Sequence, residues 1–452
     1  MKAFVSSLLA LLLAATMADA RSWADTQGRM IEAEVVKVNP DRTVVLRTDR
    51  GKVVTVPFDT FSDMDVEHLD YLLSRRGRGK PHPVPWYELN DLFGMEIWQD
   101  DLLWDDPTAA AGERMKMKKE SKTDFMENHR AYPLGKEKIL GEPVYTTALY
   151  GGTEHVESLS LIFLNRGDIL ELNGRRRTPS AEQIEASGMR VHYALVPKLG
   201  EPKRDSLGKG DLREKVWRWD WNGHAIMLSL QEGKYAVVRI MPSDRADRSG
   251  RVEKLTEAGL KRRMASCVER RDNGDVVIRN IPMVNQGPKG YCSPATWERY
   301  LRYMGIPADM YLLALAANTG VGGGTYSYQM IDATRSLVSA NGRELKDIDS
   351  SLKPEDIAEY IDQGLPIMWH LISDPDFRKA IHDNSAQRNG EEPEERDFCK
   401  DSGGHICLII GYNEQTGEIA TSDSYGPEFA ERWVEFHEAR RASRGSMNVI
   451  KW

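Results

Sequence analysis

The pattern of apolar and polar residues predicts a compact β unit near the start of the chain. Residues 32–38, 43–47 and 53–57 alternate or cluster β-forming side chains, and short runs of Asn, Pro, Asp and Gly separate them. We expect these strands to form one β domain over residues 21–75. Strand-like runs return between residues 139 and 245, which predicts a second, β-rich domain in the middle of the chain.

Inside the middle region, five runs have the composition of strands: residues 143–149, 158–165, 190–196, 216–230 and 235–241. Trp217, Trp219 and Trp221 recur there with period two, so their indoles share one face of a strand. A sheet face packed into a core explains them better than a stacking platform for a ligand.

The segments between these regions carry a different signal. Residues 76–138 begin as a linker rich in Arg, Gly, Lys and Pro and continue as a partly helical stretch, in which residues 115–122 predict a solvated helical face. Residues 246–274 predict a helical connector, and residues 275–452 form the last domain. The chain is therefore expected to be a multidomain α+β protein.

The first twenty residues, 1–20, predict a signal peptide. Lys2 precedes a mostly apolar run over residues 4–15, and Ala18-Asp19-Ala20 fits a cleavage site with small residues. We therefore expect a secreted or periplasmic protein. No later run approaches the roughly 18 apolar residues of a membrane helix, so no membrane span is expected in the mature chain.

Charge and motif content exclude several kinds of partner. The formal net charge of −8 would repel a phosphate backbone, so we expect no nucleic-acid partner. The sequence has no His-Glu-x-x-His, paired Cys-x-x-Cys or phosphate-binding loop, so neither a metal nor a cofactor is predicted. Four cysteines, Cys267, Cys292, Cys399 and Cys407, leave one disulfide or none as open alternatives if Cys292 stays reduced.

A helix with a buried face is predicted directly after Cys292. Apolar residues recur there with helical spacing at Trp297, Tyr300, Leu301 and Met304. Ser293 is a candidate N-cap and Pro294 fits the first helical position. Cys292 would then lie at a helix N-terminus, where unpaired amides and the helix dipole favour an anion such as a thiolate.

Gln286 is the candidate for a hydrogen-bond donor that works beside the Cys292 backbone N–H. It lies six residues before Cys292, across a Gly-Pro-Lys-Gly loop that can bring its amide beside the Cys292 backbone N–H. Two such donors would stabilise the oxyanion of a tetrahedral intermediate.

His405 is the candidate base, because it begins an apolar strand that turns over residues 413–417 and returns to Asp423. Antiparallel pairing about that turn places Asp423 beside His405, where a carboxylate can fix the imidazole tautomer and stabilise the imidazolium. His370 is a rival base but lacks a neighbouring acid on a hairpin. A single buried Cys or His is more often structural, so the prediction depends on the ordered set.

Three sequence blocks carry a family resemblance. They are I-P-M-V-x-Q-G-x-x-G-x-C-x-P-A-T from Ile281, G-H-x-x-x-x-x-G-Y from Gly404, and Ser422-Asp423-Ser424. Together they resemble papain-like cysteine peptidases, and more closely the bacterial branch that includes the leader-removing domains of bacteriocin exporters. The resemblance implies a peptide or protein substrate, with catalytic roles for a set of four residues: Gln286 as oxyanion donor, Cys292 as nucleophile, His405 as base and Asp423 as its orienter.

Two features depart from that branch. Its exporters carry transporter helices after the peptidase and this sequence has none, so leader processing is not expected. A charged segment over about residues 374–401 also precedes His405, and we expect a flexible loop that borders the cleft.

The N-terminal β unit carries a second resemblance, in a pattern of scattered positions: Arg21-x-Trp23 before Gly28, then Ala33, Leu46, Gly51-Lys52, Val56-Pro57 and Phe61-Ser62-x-x-Asp65. It resembles the small SH3-like β-barrel first described in a yeast endocytic adaptor. What such a module binds does not follow from the resemblance, so a cell-envelope protein partner and a folding and spacing role are both open.

The sequence therefore predicts an exported cysteine peptidase with three domains. Two alternatives stay open: a cysteine amidase or acyltransferase acting on cell-wall peptides, and a catalytically inactive envelope binding protein.

Overall fold

The computed structural model describes residues 21–452 apart from short gaps. The residues outside it are 1–20, 28, 49–50, 63–64, 67–68, 71–72, 74–83, 153, 173–174, 209–211, 232, 251–254, 288–289, 321–323, 397 and 399. The predicted signal peptide and most of the predicted linker lie outside the described residues. The described helices include none that is both long and apolar enough to cross a bilayer.

The N-terminal unit contains a four-stranded sheet in its described residues, with neighbouring strands paired in chain order. Its strands are β1 Arg21–Ala24, β2 Met30–Val38, β3 Thr43–Thr48 and β4 Val53–Pro57. The indole of Trp23 is buried and donates a hydrogen bond of 2.9 Å to the Ala33 carbonyl. Asp65 Oδ2 accepts the Ala24 N–H at 2.7 Å, which fixes the end of the first strand. The three strands predicted from alternation are confirmed.

The second unit contains the rest of the described chain apart from residues 220–224. Its strands are β5 Lys118–Lys122, β6 Glu127–Ala131, β7 Glu137–Ile139, β8 Glu142–Val144, β9 Thr146–Gly151, β10 Val156–Asn165, β11 Leu170–Leu172, β12 Arg175–Arg177, β13 Lys203–Leu207, β14 Glu214–Trp221, β15 His224–Gln231, β16 Tyr235–Pro242, β17 Val268–Arg270, β18 Val276–Ile278, β19 Glu344–Ile348, β20 Ile367–Ser373, β21 Gly403–Asn413, β22 Glu418–Ser422, β23 Arg432–Glu435 and β24 Ser443–Lys451. Its helices are α1 Trp86–Phe93, α2 Thr108–Arg114, α3 Ala181–Leu199, α4 Ser243–Asp247, α5 Glu257–Ser266, α6 Cys292–Tyr303, α7 Met310–Ala316, α8 Ser327–Ala340, α9 Pro354–Ile361, α10 Pro375–Arg388 and α11 Phe436–Ala442.

The prediction of a strand over residues 190–196 is wrong, because this stretch lies inside α3. The helix starts at a capping box in which Ser180 and Gln183 exchange side-chain and backbone hydrogen bonds. Ile184, Val191 and Leu195 are all buried, so the burial follows helical spacing rather than period two.

Two further predictions of secondary structure are wrong. The Lys/Glu-rich run over residues 115–122 is mostly β5, which lies at the edge of a sheet and pairs with β6. Pairing with β6 overrides the helix propensity of the run. Its charged side chains suit an exposed edge strand. The run over residues 216–230 is two strands. Asn222 and Gly223 both have positive φ between them, as an Asn-Gly hairpin turn requires.

The β-rich middle region is an eight-stranded sheet in the order β13-β14-β15-β16-β10-β9-β6-β5. In that sheet Trp219 is 3% exposed, whereas Trp217 is only partly buried and lies 4.3 Å below the Arg204 guanidinium. The prediction of a core-facing indole is therefore confirmed for Trp219.

The C-terminal region forms a second sheet in the order β17-β18-β21-β20-β24-β19, with β22 added beside β21 and β23 beside β22. The helix α6 packs on this sheet, and the face predicted from helical spacing is fully buried at Trp297, Tyr300, Leu301 and Met304. That prediction is confirmed.

The middle sheet packs directly against the helices that follow Cys292. Ile162 and Val237 of that sheet share a buried cluster with Val284, Ala295 and Met310. The β-rich region thus supports the back of α6.

Candidate active site

The helix α6 begins at Cys292, two residues earlier than the predicted first helical residue, Pro294. The Tyr291 carbonyl accepts the first helical hydrogen bond, from the Ala295 N–H at 2.9 Å. Ser293 therefore lies inside the first turn, and its buried hydroxyl has no hydrogen-bond partner among the described residues. The predicted N-cap role of Ser293 is wrong, while Cys292 does lie at the helix N-terminus, partly exposed.

Two side chains of α6 tie the helix to the strands that carry the other candidate residues. Thr296 Oγ1 donates a hydrogen bond of 3.2 Å to the carbonyl of Ile406, the residue after His405. Arg299 is fully buried and donates to the backbone carbonyl of Ser422 at 3.2 Å and to its hydroxyl. Both contacts fall one residue from a candidate site residue, so they fix the Cys292 helix against each strand.

His405 and Asp423 are in direct contact. The β21–β22 hairpin pairs Leu408 with Ser422. Asp423 follows that last pair, and its Oδ2 lies 2.7 Å from His405 Nε2. Since Nε2 is engaged by the carboxylate, Nδ1 is the imidazole nitrogen left for Cys292.

The surroundings of His405 favour its charged form. Burial alone would lower its pKa, but Asp423 opposes this through its charge and its hydrogen bond, and a hydrogen bond with Cys292 acts in the same direction. The pKa of His405 is therefore raised well above its ordinary value. The Tyr425 ring stacks on the imidazole, with centroids 5.1 Å apart and planes 3° from parallel.

Gln286 is held by Ser424, a residue that the sequence argument did not single out. The Ser424 hydroxyl donates a hydrogen bond of 2.9 Å to Gln286 Oε1, and the Gln286 N–H donates to the Ser424 carbonyl at 2.8 Å. The Ser424 N–H in turn donates to Asp423 Oδ1 at 2.6 Å. Because Oε1 accepts from Ser424, the amide group of Gln286 keeps its Nε2 for donation elsewhere.

Comparison with known proteins gives one family match. A family model described as Peptidase_C39 like family matches residues 278–444, a segment that contains all four candidate residues and spans less than half of the chain. The chain contains a cysteine-type peptidase domain.

Two further comparisons add little to that match. No curated protein matches this chain. Among solved structures, the chain resembles xylellain, a cysteine protease from Xylella fastidiosa, with 10% identity over 44% of this chain and 90% of xylellain. The TM-score is 0.29, which does not establish a shared fold.

The rival histidine of the peptidase domain has different surroundings. His370 lies on β20, where Leu371 pairs with His405. Its Nδ1 is 2.7 Å from the Ser327 hydroxyl, and burial lowers its pKa to about 4. His370 is therefore neutral near neutral pH.

The other described thiols are less accessible than Cys292. Cys267 and Cys407 are free and buried, and burial raises the pKa of both. Cys399 lies outside the described residues. No cluster of three or more metal-ligating side chains occurs in the described part of the chain.

The charged segment before His405 is helical over its first half, so the expectation of a flexible loop is wrong for residues 375–388. Its first half forms α10, which begins at an Asp374 side-chain cap and Pro375. The helix anchors itself through Arg388, which pairs with the buried carboxylates of Asp275 and Glu418. The helix borders a cavity of about 390 Å³ beside His405.

Proposed function

We propose that the protein is an exported cysteine peptidase of papain-like type that hydrolyses peptide bonds through Cys292, His405 and Asp423. The observation that carries this proposal is the imidazole of His405, which hydrogen-bonds Asp423 on one side and Cys292 on the other. A nucleophile, a base and a group that orients the base are the parts that such catalysis requires.

In the proposed reaction, the Cys292 thiolate attacks the carbonyl carbon of the substrate, and the C=O electron pair moves to oxygen. The backbone N–H of Cys292 and Nε2 of Gln286 stabilise the oxyanion. As the C–N bond breaks, the His405 imidazolium gives its proton to the leaving amine. His405 then takes a proton from water, the hydroxide attacks the thioester, and the acid product leaves as the thiolate re-forms.

Export to the periplasm or the medium is part of the proposal, and its support is the signal-peptide pattern of residues 1–20. We assign residues 21–75 as an SH3-like module that contacts a cell-envelope protein. Its support is the sequence pattern together with the buried Trp23 and the Asp65 contact to the first strand.

The direct test compares the wild-type protein with Cys292→Ala on casein and on an unstructured peptide library, with products identified by mass spectrometry. We expect cleavage by the wild type and none by the variant. Cys267→Ala is the matched control, because it removes a buried thiol outside the site. Equal cleavage by both proteins would overturn the role of Cys292, and incorporation of added amines instead of hydrolysis would indicate acyl transfer.

A further inference from the structure

The cavity beside His405 is both basic and aromatic. Arg378, Arg396 and Arg432 line it together with rings that include Phe377 and Phe429. Asp423 is the one carboxylate among the described residues that line it. Among the described lining residues, three guanidinium groups therefore accompany one carboxylate.

That carboxylate is already engaged on both oxygens. Asp423 Oδ2 contacts His405 Nε2 at 2.7 Å, and Oδ1 accepts the Ser424 N–H at 2.6 Å. With the pKa of His405 raised, the Asp423 charge is balanced by the imidazolium. Arg396 also has a carboxylate nearby, since Glu394 lies 3.8 Å from it, so Arg432 is the described lining arginine whose charge a bound anion would balance.

Arg432 is the arginine whose surroundings point most clearly to a ligand. Its Nε donates to the Ser385 hydroxyl at 3.3 Å, and its guanidinium lies 5.3 Å from the Phe429 ring centroid. No carboxylate of the described residues lies within 4.0 Å of it, and burial lowers its pKa. Arg388 shows the contrast, since it has two carboxylate partners. A partly buried guanidinium without a carboxylate carries an uncompensated desolvation cost, which a bound anion would offset.

Arg378 adds a second guanidinium on the same wall. Its Nη1 donates to the Ser373 carbonyl at 2.5 Å and its Nη2 to the Asp401 carbonyl at 2.9 Å. These contacts hold the guanidinium in place at the wall of the cavity.

The position of the cavity indicates which part of a substrate enters it. His405 has to reach the leaving amine, so the residues that follow the scissile bond pass beside its imidazole. The cavity is lined by His405, Asp423 and Tyr425, whereas Cys292 and Gln286 are not part of its wall. It therefore adjoins the residue that protonates the leaving amine rather than the nucleophile and the oxyanion donor.

We propose that this cavity binds a carboxylate in the leaving-group half of the substrate, with Arg432 as the residue that sets this specificity. The inference rests on the proposed peptidase function and names its substrate class. The carboxylate is either the side chain of a Glu or Asp that follows the scissile bond or the C-terminal carboxylate of a short substrate. Either would pair with the guanidinium and place its apolar stem among the rings.

The test uses matched peptides around one cleavage site found in the library. One pair carries Glu or Gln at each of the first positions after the scissile bond, and a second pair ends in a carboxylate or a carboxamide. We expect roughly tenfold higher kcat/KM for the peptide with the relevant carboxylate, since a charged hydrogen bond is lost in its partner. The pair that shows the difference identifies the source of the carboxylate.

Variants of Arg432 test whether this residue causes the preference for the carboxylate peptides. Arg432→Gln is expected to abolish the preference, and Arg432→Lys to keep part of it because the charge remains. Arg440→Gln, an exposed arginine on α11, is the matched control and should leave the preference unchanged. Thermal unfolding of each variant checks that the fold is intact; if Arg432→Gln unfolds, the Lys variant and the peptide pairs still decide the result.

The outcomes separate this inference from the proposed function. Cleavage of every peptide with equal kcat/KM would overturn the carboxylate site and leave the peptidase assignment intact. Failure of the wild type to cleave any peptide would overturn the peptidase assignment. Fluorescence anisotropy with Cys292→Ala then measures peptide binding to the cavity without cleavage. Tighter binding of the carboxylate peptides than of their neutral partners supports the carboxylate site, and equal binding refutes it.

Discussion

The Ser424 hydroxyl donates a hydrogen bond of 2.9 Å to Oε1 of Gln286. Ser424 is fully buried and also accepts the Gln286 N–H, so it fixes both the backbone and the side chain of the proposed oxyanion donor. Gln286 is only 7% exposed, so burial and the Ser424 hydroxyl together hold its side-chain amide in one orientation. We infer that Ser424 positions Gln286 without contacting the substrate.

The first prediction follows from that contact. Ser424→Ala removes the hydroxyl and lets the Gln286 amide turn, so kcat should fall roughly tenfold with KM nearly unchanged, against roughly 100-fold or more for removing an oxyanion donor. Steady-state kinetics of Ser424→Ala, Gln286→Ala and the double variant measure this. If Ser424 acts through Gln286, the serine change has no further effect in the Gln286→Ala background; fully additive losses would contradict the assignment.

The second prediction concerns the Asp423 carboxylate. Asp423→Asn keeps a hydrogen-bonding group at 2.7 Å from His405 but removes the charge that opposes the burial effect on the imidazole. We expect kcat to fall by roughly tenfold to 100-fold, less than for Cys292→Ala, with KM much less affected. An unchanged kcat would remove Asp423 from the proposed mechanism.

The same substitution has a defined effect on pH dependence. The pKa of His405 is raised above its ordinary value of 6.5, so protonation of His405 adds stability that is complete below that value and is lost as the pH rises through the raised pKa. Without the carboxylate, burial lowers the pKa. The alkaline limb of the kcat/KM profile should therefore move to lower pH in Asp423→Asn, as should the alkaline loss of thermal stability. A shift to higher pH would contradict the proposed role.

The sequence predicts those parts of the fold and of the candidate site that depend on residues close together in the chain. The spacing at Trp297, Tyr300 and Met304 predicted a buried helical face, and counting across one hairpin placed Asp423 near His405. Ser424 follows Asp423 directly, and this adjacency was the available signal for its role. Its importance depends on Gln286, which is 138 residues away in sequence, so no local pattern could reveal it.

The elements whose secondary structure is wrongly predicted depend on residues outside the run itself. Residues 190–196 contain β-forming side chains, which favour a strand, but the cap at Ser180 begins a helix that runs through them. The run at residues 115–122 becomes a strand only by pairing with β6, which no local propensity encodes. The helix α10 depends on Arg388 reaching Asp275, a contact across 113 residues.

The third prediction concerns the buried charge network behind α6. Glu298 is fully buried, contacts Arg302 at 2.9 Å and Arg130 of the middle sheet at 3.4 Å, and accepts the Met310 N–H at 2.7 Å. Glu298→Ala leaves these groups unpaired and should lower the free energy of unfolding by about 3–5 kcal/mol. Urea denaturation measures the change, with the exposed Glu185→Ala on α3 as control. Equal losses in the two variants would show that the network does not join the middle sheet to α6.

The most direct measurement of the central claim is thiol labelling of the native protein with an epoxide inhibitor, followed by peptide mapping. Cys292 is partly exposed and hydrogen-bonded to His405, whereas Cys267 and Cys407 are buried with raised pKa values and serve as internal controls. A Cys399→Ser background removes the one remaining thiol. We predict label on Cys292 alone at neutral pH, with peptide hydrolysis lost in proportion to labelling. Hydrolysis that continues after Cys292 is fully labelled, or labelling elsewhere while Cys292 stays unmodified, would contradict the assignment of Cys292 as the nucleophile.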